Sequence, residues 1–196
     1  VYNFDKDRMI AKVDHDYFET MDEEGRIGDT APYYTGGQPG DPANLSYLLI
    51  AWFAYRYYGD TGIIEREYDG HNRWVDYLLT RQKGYIMDYY YYADWVNPHM
   101  IKDSFSDGIC VSSMFLNWYL KVLSELAGLT GHKEDEEKYA KLAKESDKAL
   151  HEHYFHEEGY YCNNTQCENA MMLWLGVTPE SEKAKVMQHI VDNIVK

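Results

Sequence analysis

The sequence predicts an all-α chain, an array of helical hairpins packed side by side into part of a closed ring. Three observations lead there. Apolar residues recur at helical spacing through about seven segments, and nothing alternates long enough to pair as more than a hairpin of strands. The connections alternate between short, Gly-containing turns (59–62, 128–131, 176–179) and long stretches rich in aromatics. Hairpins of this kind bury their faces only against neighbours, and the absence of a strict sequence period disfavours a standard solenoid, which leaves a toroid.

The elements follow in order. Asp5 to Glu24 carries Met9, Ile10, Val13, Tyr17, Phe18 and Met21 on one helical stripe, closed by Gly25. The stretch after it, GRIGDTAPYYTGGQPGDPAN, holds too many Gly and Pro residues for any helix to pass through. Leu45 to Tyr58 is the second helix, with Leu45, Leu48, Leu49, Trp52 and Phe53 facing inward. Asp60 or Thr61 caps a third, running to about Gln82 with a break near Gly70. Gly84 to Gly108 is the longest segment without helical periodicity and has room for a short hairpin; loops of that length are often functional. Cys110 to Leu126 and Glu134 to His153 resume as helices. The loop HEEGYYCNNTQ leads into Asn169 to Leu175, and Pro179 opens a last helix whose Ala184, Met187, Ile190, Val191 and Ile194 are expected to face inward.

Composition limits what the chain can do. A net charge of −14 without any basic patch argues against nucleic acid and against anionic membrane surfaces, both of which need clustered Lys and Arg. No apolar run reaches bilayer-spanning length and the chain does not open with a signal peptide; it starts at Val1, so that absence decides nothing. The three cysteines, Cys110, Cys162 and Cys167, are odd in number and form no CxxC, so buried thiols are expected rather than a disulfide or zinc site. His151 and His153 flank Glu152 at a spacing that puts them on different helix faces, so no metal site is expected there, and no cofactor. Two sequons, Asn44-Leu45-Ser46 and Asn163-Asn164-Thr165, are common by chance and carry no weight. Twenty Tyr and five Trp exceed what a helical core needs. Most of them are expected to fill interhelical gaps, but an aromatic surplus also suits the apolar faces of sugar rings.

If the long connections share one end, three of them converge: 25–43, 84–108 and 159–166. Each sets a carboxylate or amide beside aromatics: Asp29 with Tyr33 and Tyr34, Asp94 with Trp95, and Gln166 with Tyr160 and Tyr161. Sugar hydroxyls need such donors and acceptors, and the C–H face of the ring needs an aromatic. Asp29, Tyr33, Tyr34, Asp94, Trp95 and Gln166 are therefore the candidate substrate-binding residues. The plainer reading has Asp29 and Asp94 capping turns and Trp95 plugging the core.

The order of several stretches resembles the catalytic domain of the bacterial α-L-rhamnosidases, glycoside hydrolase family seventy-eight. They are YNFD (2–5), GRIGDTAPYYTGG (25–37), PGDPAN (39–44), AWFAYRYYGD (51–60), RWVDYL (73–78), ADWVNP (93–98), LAGLTG (126–131) and NTQCENAMMLWLGVTP (164–179). The resemblance covers nearly the whole chain and implies part of a six-hairpin (α/α) toroid. It further implies an inverting hydrolase acting on terminal L-rhamnose in glycosides or polysaccharides. Asp94-Trp95 would match the family's Asp-Trp element, whose Trp contributes to sugar recognition. The family's catalytic acid lies just upstream of the YNFD stretch and its base well downstream of the NTQ stretch. The resemblance therefore assigns no catalytic residue to 1–196 and implies a segment inactive alone, with faces through which it could self-associate. One departure is Asn44, where relatives commonly carry Trp. Other readings are a different helical-toroid glycosidase or lyase, and a non-catalytic interaction scaffold.

Overall fold

The computed structural model describes residues 7–43, 47–94 and 105–195. Along them run seven α-helices and two small hairpins. The helices are α1 (Asp7–Glu19), α2 (Tyr47–Tyr58), α3 (Gly62–Thr80), α4 (Gly108–Leu129), α5 (Lys133–Tyr154), α6 (Gln166–Trp174) and α7 (Lys183–Val195). Strands β1 (Gln82–Lys83) and β2 (Ile86–Met87) pair antiparallel, as do β3 (Phe155–His156) and β4 (Tyr160–Tyr161). The all-α architecture of stacked hairpins is the one expected, and each strand is only two residues long.

Local chemistry decides where the helices stop. α1 ends at Glu19, five residues before the expected boundary, because the chain folds back on Asp22. That carboxylate accepts the Glu24 and Arg26 amides and pairs with the Arg26 guanidinium. Gly25 follows at φ +87°, pressed against the Arg73 carbonyl where no side chain fits. α3 runs unbroken through Gly70 instead of breaking there. The missing side chain is used for packing: the Phe18 ring and the Tyr47 hydroxyl lie where a Cβ would stand, so α1 and α2 approach α3 closely. α4 starts at a true cap, the Asp107 carboxylate accepting the Ile109 and Cys110 amides. α6 begins three residues earlier than expected because Thr165 and Glu168 form a capping box. Lastly, α7 starts at Lys183 rather than Pro179, after a turn.

The core is one body with two centres. The larger joins α1, α2, α3, the C-terminal part of α4 and the N-terminal half of α5 around Tyr47, Leu48, Ile64, Trp74, Leu78, Leu120, Leu123 and Tyr139. The smaller gathers the start of α4, the end of α5, β4, α6 and α7 around Met114, Leu150, Tyr161, Met172 and Val186. Phe115 and Trp118 pack against both. Buried tyrosines fill the gaps between helices, and several keep a polar end engaged, as when Tyr68 donates to Asp135 across 2.8 Å. A polar pair also lies in the core, His71 facing Asp14 at 3.2 Å with both side chains fully buried.

Two expectations are overturned. Cys110 and Cys162 are joined in a disulfide, and Cys167 alone remains a thiol. The hairpin β3–β4 brings the chain back to the first turn of α4, a spatial return that residue spacing does not reveal. The stripe of α7 faces the other way: Ala184, Met187, Val191 and Ile194 are exposed, Ile190 is half-buried, and Val186, left out of that stripe, is the buried residue.

Candidate functional site: three connections joined at one end

The turns between α2 and α3, and between α4 and α5, are three residues each, whereas α1–α2, α3–α4 and α5–α6 are joined by long segments. Short turns join antiparallel neighbours, which sets the three long connections at the same end of the array. Buried carboxylates then tie them into one unit.

The first connection is organised on Asp29 and Asp41. Asp29 accepts the Gly37 amide at 2.6 Å on one oxygen and the Asp41 amide at 2.7 Å on the other. Asp41, fully buried, accepts the Ala43 amide at 2.8 Å and reaches into the second connection, where it takes the amides of Tyr91, Tyr92 and Ala93. Two phenols strengthen the seam, Tyr89 donating to the Gly40 carbonyl and Tyr119 to that of Pro42. The Tyr92 phenol lies beside Asp29, whose negative charge holds the phenol's pKa above its ordinary value.

The second connection is joined to the third by Glu168. Its carboxylate accepts the amides of Asp107 (2.6 Å), Asn163 (3.1 Å) and Thr165 (2.9 Å), together with the Thr165 hydroxyl. Burial nevertheless raises the Glu168 pKa, outweighing these bonds to the charged form. Asp94 accepts from Ser106, which in turn meets the Thr165 hydroxyl at 2.9 Å. The Cys167 thiol lies beside Asp94; burial first and the Asp94 charge second push its pKa up to about 12. The Asn163 amide donates to the Phe105 carbonyl, and the Cys110–Cys162 disulfide adds a covalent tie between α4 and the third connection.

The candidate residues stand as follows. Asp29 has both oxygens engaged by backbone amides, which agrees with its plainer reading as a turn-forming carboxylate, and it keeps the Tyr92 contact besides. Tyr33 is exposed, with its ring over Gly28 and its hydroxyl at 3.4 Å from the Gly36 carbonyl. Tyr34 is 91% exposed. Asp94 is half-buried against Ser106 and Cys167. Gln166 is the first residue of α6, directly after Thr165. Trp95 and Asn44 lie outside the described residues. The hydrogen-bonded path Asp29–Asp41–Ala93 and Asp94–Ser106–Thr165 thus links the segments carrying Asp29, Asp94 and Gln166.

Asp41 and Glu168, which join the connections, are absent from the substrate-binding set read off the sequence. Glu168 had a legible signal, since TQCE has the S/T-x-x-E form of a capping box. Asp41 had none: one aspartate among several in a turn-rich stretch does not announce that it reaches fifty residues ahead.

The family model described as the bacterial alpha-L-rhamnosidase 6 hairpin glycosidase domain matches residues 1–196. An alpha-L-rhamnosidase of Formosa agariphila is 27% identical over 152 residues, covering 74% of this chain and 16% of its own length. Another, of an Alteromonas species, is 23% identical over 177 residues, with 84% and 19% covered. The chain thus spans less than a fifth of the curated relatives it matches. Among solved structures, the alpha-L-rhamnosidase from Dictyoglumus thermophilum superposes with a TM-score of 0.90 at 28% identity, covering 98% of this chain and 22% of that one. The Streptomyces avermitilis alpha-L-rhamnosidase, solved with L-rhamnose, gives 0.84 at 19% identity over 97% of this chain and 18% of that one, a likeness of fold alone. Helical hairpins, a common end for the long connections and a family match along the whole length lead to one assignment: the chain belongs to the bacterial α-L-rhamnosidase six-hairpin glycosidase domain family.

Proposed function

We propose that residues 1–196 form part of the wall of a sugar pocket in an inverting glycoside hydrolase that removes terminal α-L-rhamnose from glycosides or polysaccharides. The observation that carries this reading is the joining of the three long connections by Asp41, Asp94 and Glu168 at one end of the array. In this reading Asp94 and Gln166 offer polar groups to sugar hydroxyls, and Tyr33, Tyr34 and Trp95 offer aromatic faces. Relatives named as alpha-L-rhamnosidases support the substrate class.

Inversion needs a protonated carboxyl at the leaving oxygen and an ionised one that activates water on the opposite face. The buried carboxylates here suit neither task, because Asp29, Asp41 and Glu168 spend their oxygens on backbone amides. The reading therefore assigns the catalytic pair to sequence outside 1–196. The test compares residues 1–196 alone with the full-length polypeptide that contains them, on an aryl α-L-rhamnoside. Release of the aryl group by the full-length protein and none by 1–196 is expected. Turnover by 1–196 alone would sink the assignment, with Asp94 the first residue to replace. Titration with L-rhamnose while watching Trp fluorescence separates a sugar wall from a docking scaffold, which would give no response.

A further inference from the structure

Asp41 does more than close a turn. It caps no helix, is fully buried, and one of its oxygens accepts three successive amides, from Tyr91 (2.5 Å), Tyr92 (2.7 Å) and Ala93 (3.4 Å). Three consecutive N–H groups turned toward a single atom bend the chain sharply, and Ala93 stands at φ +48°. An alanine in that left-handed region costs on the order of 1 kcal/mol, so the surrounding bonds must hold it there.

The bend presents the side chains and leaves them uncovered. Tyr91 and Tyr92 stay 48% and 44% exposed, with ring centroids 6.4 Å apart and planes inclined by 60°. Each ring is nonetheless fixed. Tyr91 is backed by Tyr89, which is buried and 5.7 Å away, and it lies against Gly37, where a side chain would crowd it out. Tyr92 has its phenol beside the Asp29 carboxylate, itself held by the Gly37 and Asp41 amides, and its own amide is bound by Asp41. An aromatic ring that is immobilised yet open to solvent loses little conformational freedom when a ligand covers it, as preorganised binding surfaces require.

We propose that Tyr91 and Tyr92 form a preorganised stacking platform at the rim of the sugar mouth, with Asp41 as its positioning residue. The platform takes the flat apolar face of a glycoside, either the C–H face of the sugar or an aromatic leaving group. This deepens the functional reading above and rests on it.

The experiment uses the full-length polypeptide with Tyr91→Ala, Tyr92→Ala, Tyr92→Phe and Asp41→Asn, assayed on methyl and 2-naphthyl α-L-rhamnoside. Both alanine variants should raise KM roughly three- to tenfold, the size of one aromatic contact, with kcat within about twofold. A rise for the naphthyl substrate alone assigns the platform to the leaving group, and a rise for both assigns it to the sugar. Tyr92→Phe keeps the ring and should stay within about twofold of wild type. Asp41→Asn should reproduce the KM rise together with faster amide exchange at Tyr91 to Ala93. Unchanged KM on both substrates in the alanine variants, or a loss confined to kcat, overturns the platform. A wild-type protein that cleaves neither rhamnoside overturns the functional reading instead, and the platform falls with it.

Discussion

Single side chains hold this end of the molecule together, and Glu168 shows how much can rest on one. Four donors from three residues on two connections converge on it, yet burial raises its pKa. A carboxyl whose folded pKa lies above its unfolded value near 4.3 binds its proton more tightly when folded. Its contribution to stability is therefore full below about pH 4.3 and is lost as pH rises through the raised value. The stability advantage of wild type over Glu168→Gln should accordingly shrink between pH 4 and pH 7 in urea unfolding. An advantage that grows over that range would show that the hydrogen bonds outweigh burial. At this scale the sequence was only partly legible. Asp29 and Asp94 could be singled out because they sit beside aromatics, but Asp41 could not, since its partners are fifty residues away.

Among the elements, periodicity located each helix but did not settle its ends or its exposure. Boundaries moved where a side chain intervened: Asp22 shortened α1, and Thr165 with Glu168 lengthened α6. α4 has the best defined start, because Asp107 takes two of the free amides of its first turn. Asp107→Ala should cost about 1 kcal/mol in chemical denaturation and Asp107→Ser much less, since a serine still caps. Equal losses for the two would mean that Asp107 acts through something other than the cap. α7 teaches the opposite lesson. Its apolar residues share a face as the spacing says, but spacing does not say what covers that face. Met187, Val191 and Ile194 lie open, the first two lining a groove with Trp174 of α6.

At the scale of the whole molecule, the alternation of short and long connections was legible because turn chemistry is local, and it carried the hairpin architecture with it. The disulfide was not legible, because pairing Cys110 with Cys162 across 52 residues depends on how α5 and β3–β4 fold back. The open face has a consequence for solution behaviour. Ala170, Leu173, Trp174, Met187, Ile190 and Val191 line a groove of about 510 Å³ between α6 and α7. We propose that residues 1–196, produced alone, self-associate through this groove, since contiguous exposed apolar surface is what water penalises. Sizing at several concentrations should show a rising apparent mass that Val191→Glu suppresses, and a mass independent of concentration would refute this.

Oxidation of three cysteines permits three different pairings, and the surroundings of Cys167 bear on which one persists. Exchange between a thiol and a disulfide is carried out by the deprotonated sulfur. Burial first and the Asp94 charge second push its pKa up to about 12, so the third sulfur stays protonated at neutral pH. The folded protein thus keeps a potential scrambler of its own cross-link chemically dormant, chiefly by burying it, and the carboxylate of Asp94 that adds to the effect comes from the second connection while the cross-link pins the third.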